Sequence, residues 1–419
     1  MTKTSKWLVC CLGVFSLTSA FFSWNLHQTV RSMGKESKAV YSALFPEVIE
    51  KVKEQEIVEK WDNSLCSSLK GVPYGEDLGM IKNVKEIPLE GVVAPHNASI
   101  LEDKDGYMLF FRYDVKDRVK ILGVSTPVRE KIPFVSKKMP YRTNIGVVRL
   151  NKDFKQCSPV QRVDTGSDFS EDPRAFKAGD AVYVSYNDMQ ENPMYSRTMR
   201  LASLDAETLK TLYTIDIDQH IQHVDQVNHI EKNWVPFVVK QPDGFEKIFF
   251  EYGINPHKIM RMKDPKSNEM DHLIFPHEVS LQKMPWKSKW GPFRGGTPAR
   301  LVDGQYLAFF HTLFYEGKRP WYVMGAYTFE STAPYRVTAI SPAPILFKDI
   351  YNTPAKNTAH SNKRAIYPAG IALGVEDGKD VVYVSCGEND CKVKLITFDK
   401  EALLASLIPV PLYKKDSKE

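Results

Sequence analysis

Two kinds of hydrophobic periodicity divide the chain. From Lys35 to about Lys70, apolar residues recur at close to helical spacing, at Val40, Leu44, Val48, Val52 and Ile57. That pattern predicts a helical stalk or outer helix over 35–75. Beyond it the helical period fades and short aromatic, β-branched runs take over. These are Tyr107–Arg112, Ala181–Tyr186, Lys247–Tyr252, Tyr306–His311 and Val381–Cys386. Each follows a Gly- or Asp-containing turn: Asp105-Gly106, Gly179-Asp180, Asp243-Gly244, Asp303-Gly304 and Asp377-Gly378. Such runs bounded by such turns predict strands joined by hairpins.

A short segment that opens on polar residues precedes each turn: His96-Asn97-Ala98-Ser99, Glu171-Asp172-Pro173-Arg174, Glu231-Lys232-Asn233-Trp234, Gly295-Gly296-Thr297-Pro298 and Tyr367-Pro368-Ala369-Gly370. The anchors Asn97, Asp172, Asn233, Thr297 and Ala369 are separated by 75, 61, 64 and 72 residues. Repetition at that period predicts an all-β fold, a five-bladed β-propeller with one sheet per blade. In a propeller the same position of every blade faces the central channel, so five distant segments converge on one pocket. The expected organisation is an export segment at 1–34, the stalk at 35–75, the propeller at 76–412 and a basic tail at 413–419.

The N-terminus adds an address. Lys3 and Lys6 precede an apolar stretch from Trp7 to Trp24, and Thr18-Ser19-Ala20 offers a small-residue cleavage site. That is the layout of a secretory signal peptide, and the stretch is also about long enough to stay as a membrane anchor. Both outcomes place the propeller outside the cytoplasm, secreted, periplasmic or anchored. Four cysteines lie beyond the segment: Cys66, Cys157, Cys386 and Cys391. Cys386 and Cys391 flank the Gly387–Asp390 loop closely enough to close it. With no Cys-x-x-Cys pair, no structural zinc is expected.

Charge narrows the function classes. The net charge of +5 comes from 56 basic and 51 acidic side chains without clustering, so nucleic acid is not an expected partner. No Gly-rich phosphate loop or nucleophile elbow occurs, and His220, His223 and His229 lack metal-ligand spacing. No cofactor or metal is expected. The segment Glu171-Asp172-Pro173-Arg174 is the strongest chemical signal. Pro173 biases Asp172 towards an extended backbone and so aims its carboxylate. Arg174 has the fork to hold a carboxylate or phosphate. Thr297 and Tyr367 join the channel-facing candidates by their place in the repeat.

With these segments in order, the chain resembles glycoside hydrolase family 130, the β-mannoside phosphorylases and mannosidases, and the related protozoan-type β-1,2-mannosyltransferases. The resemblance runs from about Val92 to Phe398. It implies that Asp172 is the general acid, reaching the glycosidic oxygen through a sugar hydroxyl. It further implies that Asn97, Arg112 and Asp390 line the sugar subsite, that Lys232-Asn233 lies near a phosphate, and that His311 ends the fourth-blade strand. One departure stands out. Where phosphorylases carry an Arg, this chain has Glu251-Tyr252-Gly253, and no arginine occurs between Arg200 and Arg261.

An inverting sugar transfer needs one acid and an acceptor on the opposite face of the ring. A phosphate acceptor would call on Lys232, Arg294, Arg112 and His311. Water would need a second carboxylate roughly 6.5–9.5 Å from the first, and Glu251, Glu388 and Glu231 are the candidates. The missing arginine tips the expectation towards hydrolysis or transfer to a sugar acceptor. The substrate is then an oligosaccharide or glycoconjugate carrying β-linked mannosyl or similar residues. The alternative is a non-catalytic glycan-binding propeller at a membrane surface.

Overall fold

The computed structural model describes residues 64–114, 118–121, 124–127, 142–189, 197–217, 232–264, 270–273, 282–354 and 363–411. The expected export segment, most of the expected stalk, Glu231, the three histidines between 220 and 229 and the basic residues after 412 lie outside the described residues. The chain divides into two compact units. One comprises Met1–Asp62 with Arg118–Pro133, the other Asn63–Asp117 with Phe134–Glu419. Of the span 76–412 expected as one domain, Arg118–Pro133 thus groups with the first unit. No helix among the described residues is long and apolar enough to cross a membrane.

Residues 64–75, the described end of the expected stalk, are turns rather than helix. Cys66 and Leu69 there are buried against Trp290 and Trp321; the apolar positions from Val40 to Ile57 that carry the helical period lie outside the described residues. The strands follow. β1 is Ile81–Glu86, and β2 (His96–Asp103) and β3 (Gly106–Asp114) form the first hairpin of the larger unit. In the smaller unit, β4 (Arg118–Ile121) and β5 (Val124–Pro127) form a hairpin of their own. β6 (Thr143–Asn151) and β7 (Gln161–Arg162) complete a four-stranded sheet ordered β2-β3-β6-β7.

The next sheet is β8 (Glu171–Ala178), β9 (Ala181–Met189), β10 (Arg197–Leu204) and β11 (Thr211–Asp216). After it come β12 (Val235–Lys240), β13 (Glu246–Ile254), β14 (His257–Met262) and β15 (Met270–Leu273). The remaining strands form a ten-stranded assembly. Its first part holds β16 (Phe293–Gly295), β17 (Arg300–Val302), β18 (Gln305–Glu316), β19 (Arg319–Glu330) and β20 (Val337–Ile340). Its second part holds β21 (Arg364–Glu376), β22 (Lys379–Glu388) and β23 (Lys392–Asp399), with β1 on the outer edge. Two parallel pairs, Trp321–Arg364 and Tyr322–Ala365, join the parts. The short helix α1 (Lys400–Ala405) is capped by Asp399, whose side chain accepts from Ala402 N, and β24 (Ile408–Pro409) pairs with β20.

Every strand run read from the sequence lies inside β3, β9, β13, β18 or β22. Those runs lack alternation because both faces are covered: Met108, Leu109, Phe110 and Phe111 are all fully buried. Burying one such Phe side chain contributes about 1.5–3 kcal/mol. The hairpin turns follow their residue types. Asp303-Gly304 and Asp377-Gly378 both carry positive φ at both positions, the geometry that suits the right-handed twist of a two-residue hairpin.

Five hydrophobic clusters fill the spaces between successive groups of strands. Strands β2, β3 and β6 pack on β8–β10, for example Phe110 with Val184. The β8–β10 strands pack on β12–β14, those on β18–β20, and β18 and β19 on β21–β23. The series returns to its start, since Tyr383 and Leu395 share a cluster with Ile100 and Phe111.

Candidate active site

The site is built from the first residues of β2, β8 and the segment entering β12. Asn97, Asp172 and Asn233 have φ of 48°, 57° and 66°. The pairing register slips between His96 and Ser99 and again between Glu171 and Arg174. Both slips are β-bulges, which re-aim a side chain out of the ladder. Asn and Asp tolerate this left-handed region better than other side chains. Asp172 therefore departs from the extended conformation that Pro173 was expected to impose. The bulge sets its backbone, and Arg174 Nη1 donates back to the Asp172 carbonyl at 3.3 Å.

The Asp172 carboxylate is 7% exposed. Its Oδ1 accepts from Asn97 Nδ2 at 2.8 Å and from Arg112 Nη1 at 3.4 Å. Burial alone would push its pKa up. The Arg112, Lys232 and Arg174 cations and the Asn97 amide outweigh burial and hold the carboxyl well below the usual carboxylate range. In this structure the group is ionised at neutral pH.

Glu171, one residue earlier, faces the same cations. Its Oε1 accepts from Arg112 Nη2 at 2.9 Å and from Arg197 Nη2 at 2.6 Å, and Lys232 Nζ lies 3.5 Å from its Oε2. Burial again pushes its carboxyl up, and Arg112, Lys232 and Arg197 reverse the shift. Arg112 thus bridges both carboxylates. Sequence reasoning missed Arg197, an arginine on β10 with no motif around it.

Arg174 is fully buried. Its Nε donates to Gly296 O at 2.6 Å, and its Nη2 faces Tyr367 Oη at 2.7 Å with Asn233 Oδ1 and Gly295 O at 3.2 Å. Tyr367 Oη donates on to Asn233 Oδ1 at 2.8 Å. The expected hold on a carboxylate or phosphate is therefore replaced by hydrogen bonds within the protein. The His311 ring lies 4.5 Å from Tyr367 and 6.1 Å from Tyr322. Burial, then Arg174 and Arg294, push its imidazole down to about 3. Among the described residues, Asn97 Oδ1 and His311 Nδ1 are buried polar atoms with no hydrogen-bond partner.

Asp390 joins the cluster from the turn after β22. Lys363 Nζ donates to its Oδ2. Burial raises its carboxyl, but Lys363, His96 and Arg112 bring it down to about 2. Lys363 also sits 4.7 Å above the Tyr322 ring. Arg294 is exposed and pairs in register with His311.

The other candidates make separate contacts. Thr297 is fully buried and staples its own loop to β18, its hydroxyl accepting from Phe309 N at 3.0 Å. Glu251 is 1% exposed, accepts from Tyr327 Oη and lies 3.1 Å from His257 Nε2. Glu388 is fully buried, accepts from Thr353 Oγ1 and lies 3.6 Å from Lys394 Nζ. Neither glutamate shares a hydrogen bond with Asp172, Asn97 or Arg112. The side chains face the interior, where a strand offers the same polar letter as it would towards a channel. Cys66, Cys157, Cys386 and Cys391 form no disulfide among the described residues. The Cys386–Cys391 closure is not formed, because Cys386 is fully buried in β22 while Cys391 lies in the turn beyond it. No group of metal-binding side chains occurs among the described residues.

The chain is similar to glycan-processing proteins of known structure. A β-1,2-mannobiose phosphorylase from Listeria innocua, in complex with β-1,2-mannobiose, matches at 17% identity and a TM-score of 0.49, covering 80% of this chain and 98% of that one. A mannose phosphorylase from Leishmania mexicana, in complex with phosphate ion, matches at 13% identity and a TM-score of 0.47, covering 81% and 95%. A GDP-Man-dependent mannosyltransferase from the same organism matches at 12% and 0.43, covering 78% and 92%. Phosphorylases and a transferase of the kind named from the motifs are thus among the structures it is similar to. No protein-family model and no curated protein sequence matches the chain.

Proposed function

We propose that the protein is a five-bladed β-propeller enzyme that transfers or cleaves a β-linked mannosyl or similar residue with inversion, Asp172 exchanging the proton with the glycosidic oxygen. The ring of five hydrophobic clusters supports the blade count. The observation that carries the reaction is the Asp172 carboxylate itself, buried between an amide and an arginine drawn from separate strands. A merely structural aspartate has no need of Arg112, Lys232 and Arg174 together.

The same observation bears on direction. An ionised Asp172 is ready to take the proton of an acceptor hydroxyl as that oxygen bonds to C1 of a mannosyl donor. The donor's own C1–O bond breaks in the same step, and the leaving group (a phosphate, for example) departs from the opposite face with the bonding pair. As a donor in the reverse direction it needs the bound ligand to weaken the pull of Arg112 and Lys232. Hydrolysis asks for a second carboxylate across the sugar, and Glu251 and Glu388 are engaged elsewhere. Phosphorolysis asks for free cations, whereas Arg112 and Lys232 are shared with Glu171. Transfer to a sugar hydroxyl asks least of these side chains. On the sequence of residues 1–34, the propeller works outside the cytoplasm, secreted or anchored.

Incubation with β-linked mannobioses, with and without phosphate, separates the reactions by product: longer oligomers for transfer, mannose for hydrolysis, mannose 1-phosphate for phosphorolysis. Asp172→Asn should abolish turnover and preserve sugar binding. Turnover unaffected by that substitution would sink the role of Asp172. Binding with no turnover by the wild type would favour a glycan-binding propeller instead.

A further inference from the structure

We propose that Arg174 is a positioning residue that fixes the Asp172 backbone and the Asn233–Tyr367 pair around one buried guanidinium, and that it makes no contact with substrate. This inference rests on the reading of Asp172 as the proton-exchanging group and adds the device that holds it.

Each nitrogen of the guanidinium already has an acceptor. Nε serves Gly296 O, Nη1 serves Asp172 O, and Nη2 serves Tyr367 Oη, Asn233 Oδ1 and Gly295 O. These partners come from four places in the fold: β8, the segment before β12, the end of β16 with its following loop, and β21. With the side chain fully buried, Nε and Nη2 are turned to protein acceptors, and of the five N–H groups only one, on Nη1, has no acceptor among these partners. The planar fork is what permits this. A guanidinium presents five donors in fixed directions, whereas an ammonium presents three on a mobile stem.

Two of the partners are conformationally special. Asp172 and Asn233 both hold positive φ, a conformation that persists only where surrounding bonds over-determine it. Arg174 bonds the carbonyl of one and the side chain of the other. The third partner, Tyr367, passes the link on to His311 through the 4.5 Å ring contact. Close packing reinforces the same point. A Cβ on Gly295 would stand 2.1 Å from Asn233 O, and one on Gly296 would stand 2.3 Å from Phe309 O. The loop that supplies both carbonyls therefore has little room to follow a displaced arginine.

The test compares wild type, Arg174→Lys, Tyr367→Phe and Asp172→Asn on whichever β-linked mannobiose the wild type turns over. It reads kcat, calorimetric affinity for that disaccharide, and melting temperature. Arg174→Lys keeps the charge and loses the fork. It should lower kcat at least about thirtyfold while the affinity stays within about threefold of wild type. Tyr367→Phe removes a single partner of Nη2 and should lower kcat by about three- to tenfold, again without loss of affinity. If Arg174→Lys does not fold, Tyr367→Phe decides alone. A folded Arg174→Lys with wild-type kcat overturns the proposal, as does a Tyr367→Phe enzyme indistinguishable from wild type. An affinity loss that accounts for the whole effect makes Arg174 a binding residue and also overturns it. Asp172→Asn is the control for the underlying reading. If it turns over normally, or if the wild type acts on no mannobiose, that reading fails and this one falls with it. If Asp172→Asn is dead while the Arg174 and Tyr367 variants are unaffected, only the positioning role is lost.

Discussion

The Asn97 side-chain amide donates a 2.8 Å hydrogen bond to Asp172 Oδ1 across 75 residues of sequence. Both residues hold positive φ, both are more than nine-tenths buried, and both sit where their strand slips register. The bond therefore joins two bulges and sets the spacing between them. It also leaves Asn97 Oδ1 without a hydrogen-bond partner among the described residues, which suits an amide that accepts from a ligand hydroxyl.

Gly387 tests this joint without replacing either residue. A Cβ there would stand 2.1 Å from Asn97 Oδ1 and 2.5 Å from Asn97 N. Gly387→Ala must displace Asn97, which holds the bond to Asp172. Overpacking of this kind costs about 1–3 kcal/mol. The expected result is a folded, less stable protein whose turnover falls more than tenfold. Denaturant titration and a product assay check it, and full activity would show that Asn97 can move freely.

Glu251 leads to the opposite expectation. It is buried with Tyr327 and His257, and Tyr327 Oη is a donor to its Oε2. Removing that donor in Tyr327→Phe leaves a buried carboxylate oxygen short of a bond, at a cost of about 1–3 kcal/mol. Denaturant unfolding should show the loss, and turnover of the folded fraction should stay within about twofold of wild type. A large drop in kcat at unchanged stability would return Glu251 to the catalytic machinery.

How much of this was legible in sequence differs by element. β3, β9, β13, β18 and β22 announced themselves because strands covered on both faces must be apolar and aromatic throughout. Asp172 stood out because its motif recurs at a repeat position, and that position turned out to be a bulge. Arg197 did not, since its partner Glu171 lies across the sheet and no spacing rule links residues 26 apart. That Glu251 and Glu388 bond to Tyr327 and Thr353 was hidden for a related reason. Period 2 says which residues share a face, and a strand buried on both faces gives no sign of which face meets the channel. Arg174 was placed at the site, but its fork proved to be occupied, which only the partners' coordinates reveal.

Asp390 should shape the acid limb of stability. Its pKa is lowered to about 2 in the folded protein, against about 3.9 for an unperturbed aspartate. A depressed carboxyl contributes stability that is present above the unfolded value and lost as the pH falls through the folded one. The difference in unfolding midpoint between wild type and Asp390→Asn should therefore be constant above about pH 5. It should shrink between roughly pH 4 and 2. A difference that grows on acidification would mean that Asp390 is protonated in the native state.

His311 should act over a higher window. Burial, Arg174 and Arg294 lower its pKa to about 3, while Asp172 pulls the other way; Tyr322 and Tyr367 are the rings beside it. An unperturbed histidine titrates near 6.5. Between these two values the unfolded chain binds a proton that the native protein refuses, so native stability rises with pH across the interval. The slope from this one group is about 1.4 kcal/mol per pH unit. Above pH 7 both states are neutral at this side chain and the contribution is flat. His311→Gln removes the group, and its stability should depend on pH between about 4 and 5.5 less steeply than wild type by close to that amount, the difference fading as the pH rises through 6.5. Denaturant midpoints at several pH values read the slope directly. An imidazolium paired with Asp172 would give the reverse sign, with the histidine protein gaining stability relative to the glutamine variant on acidification.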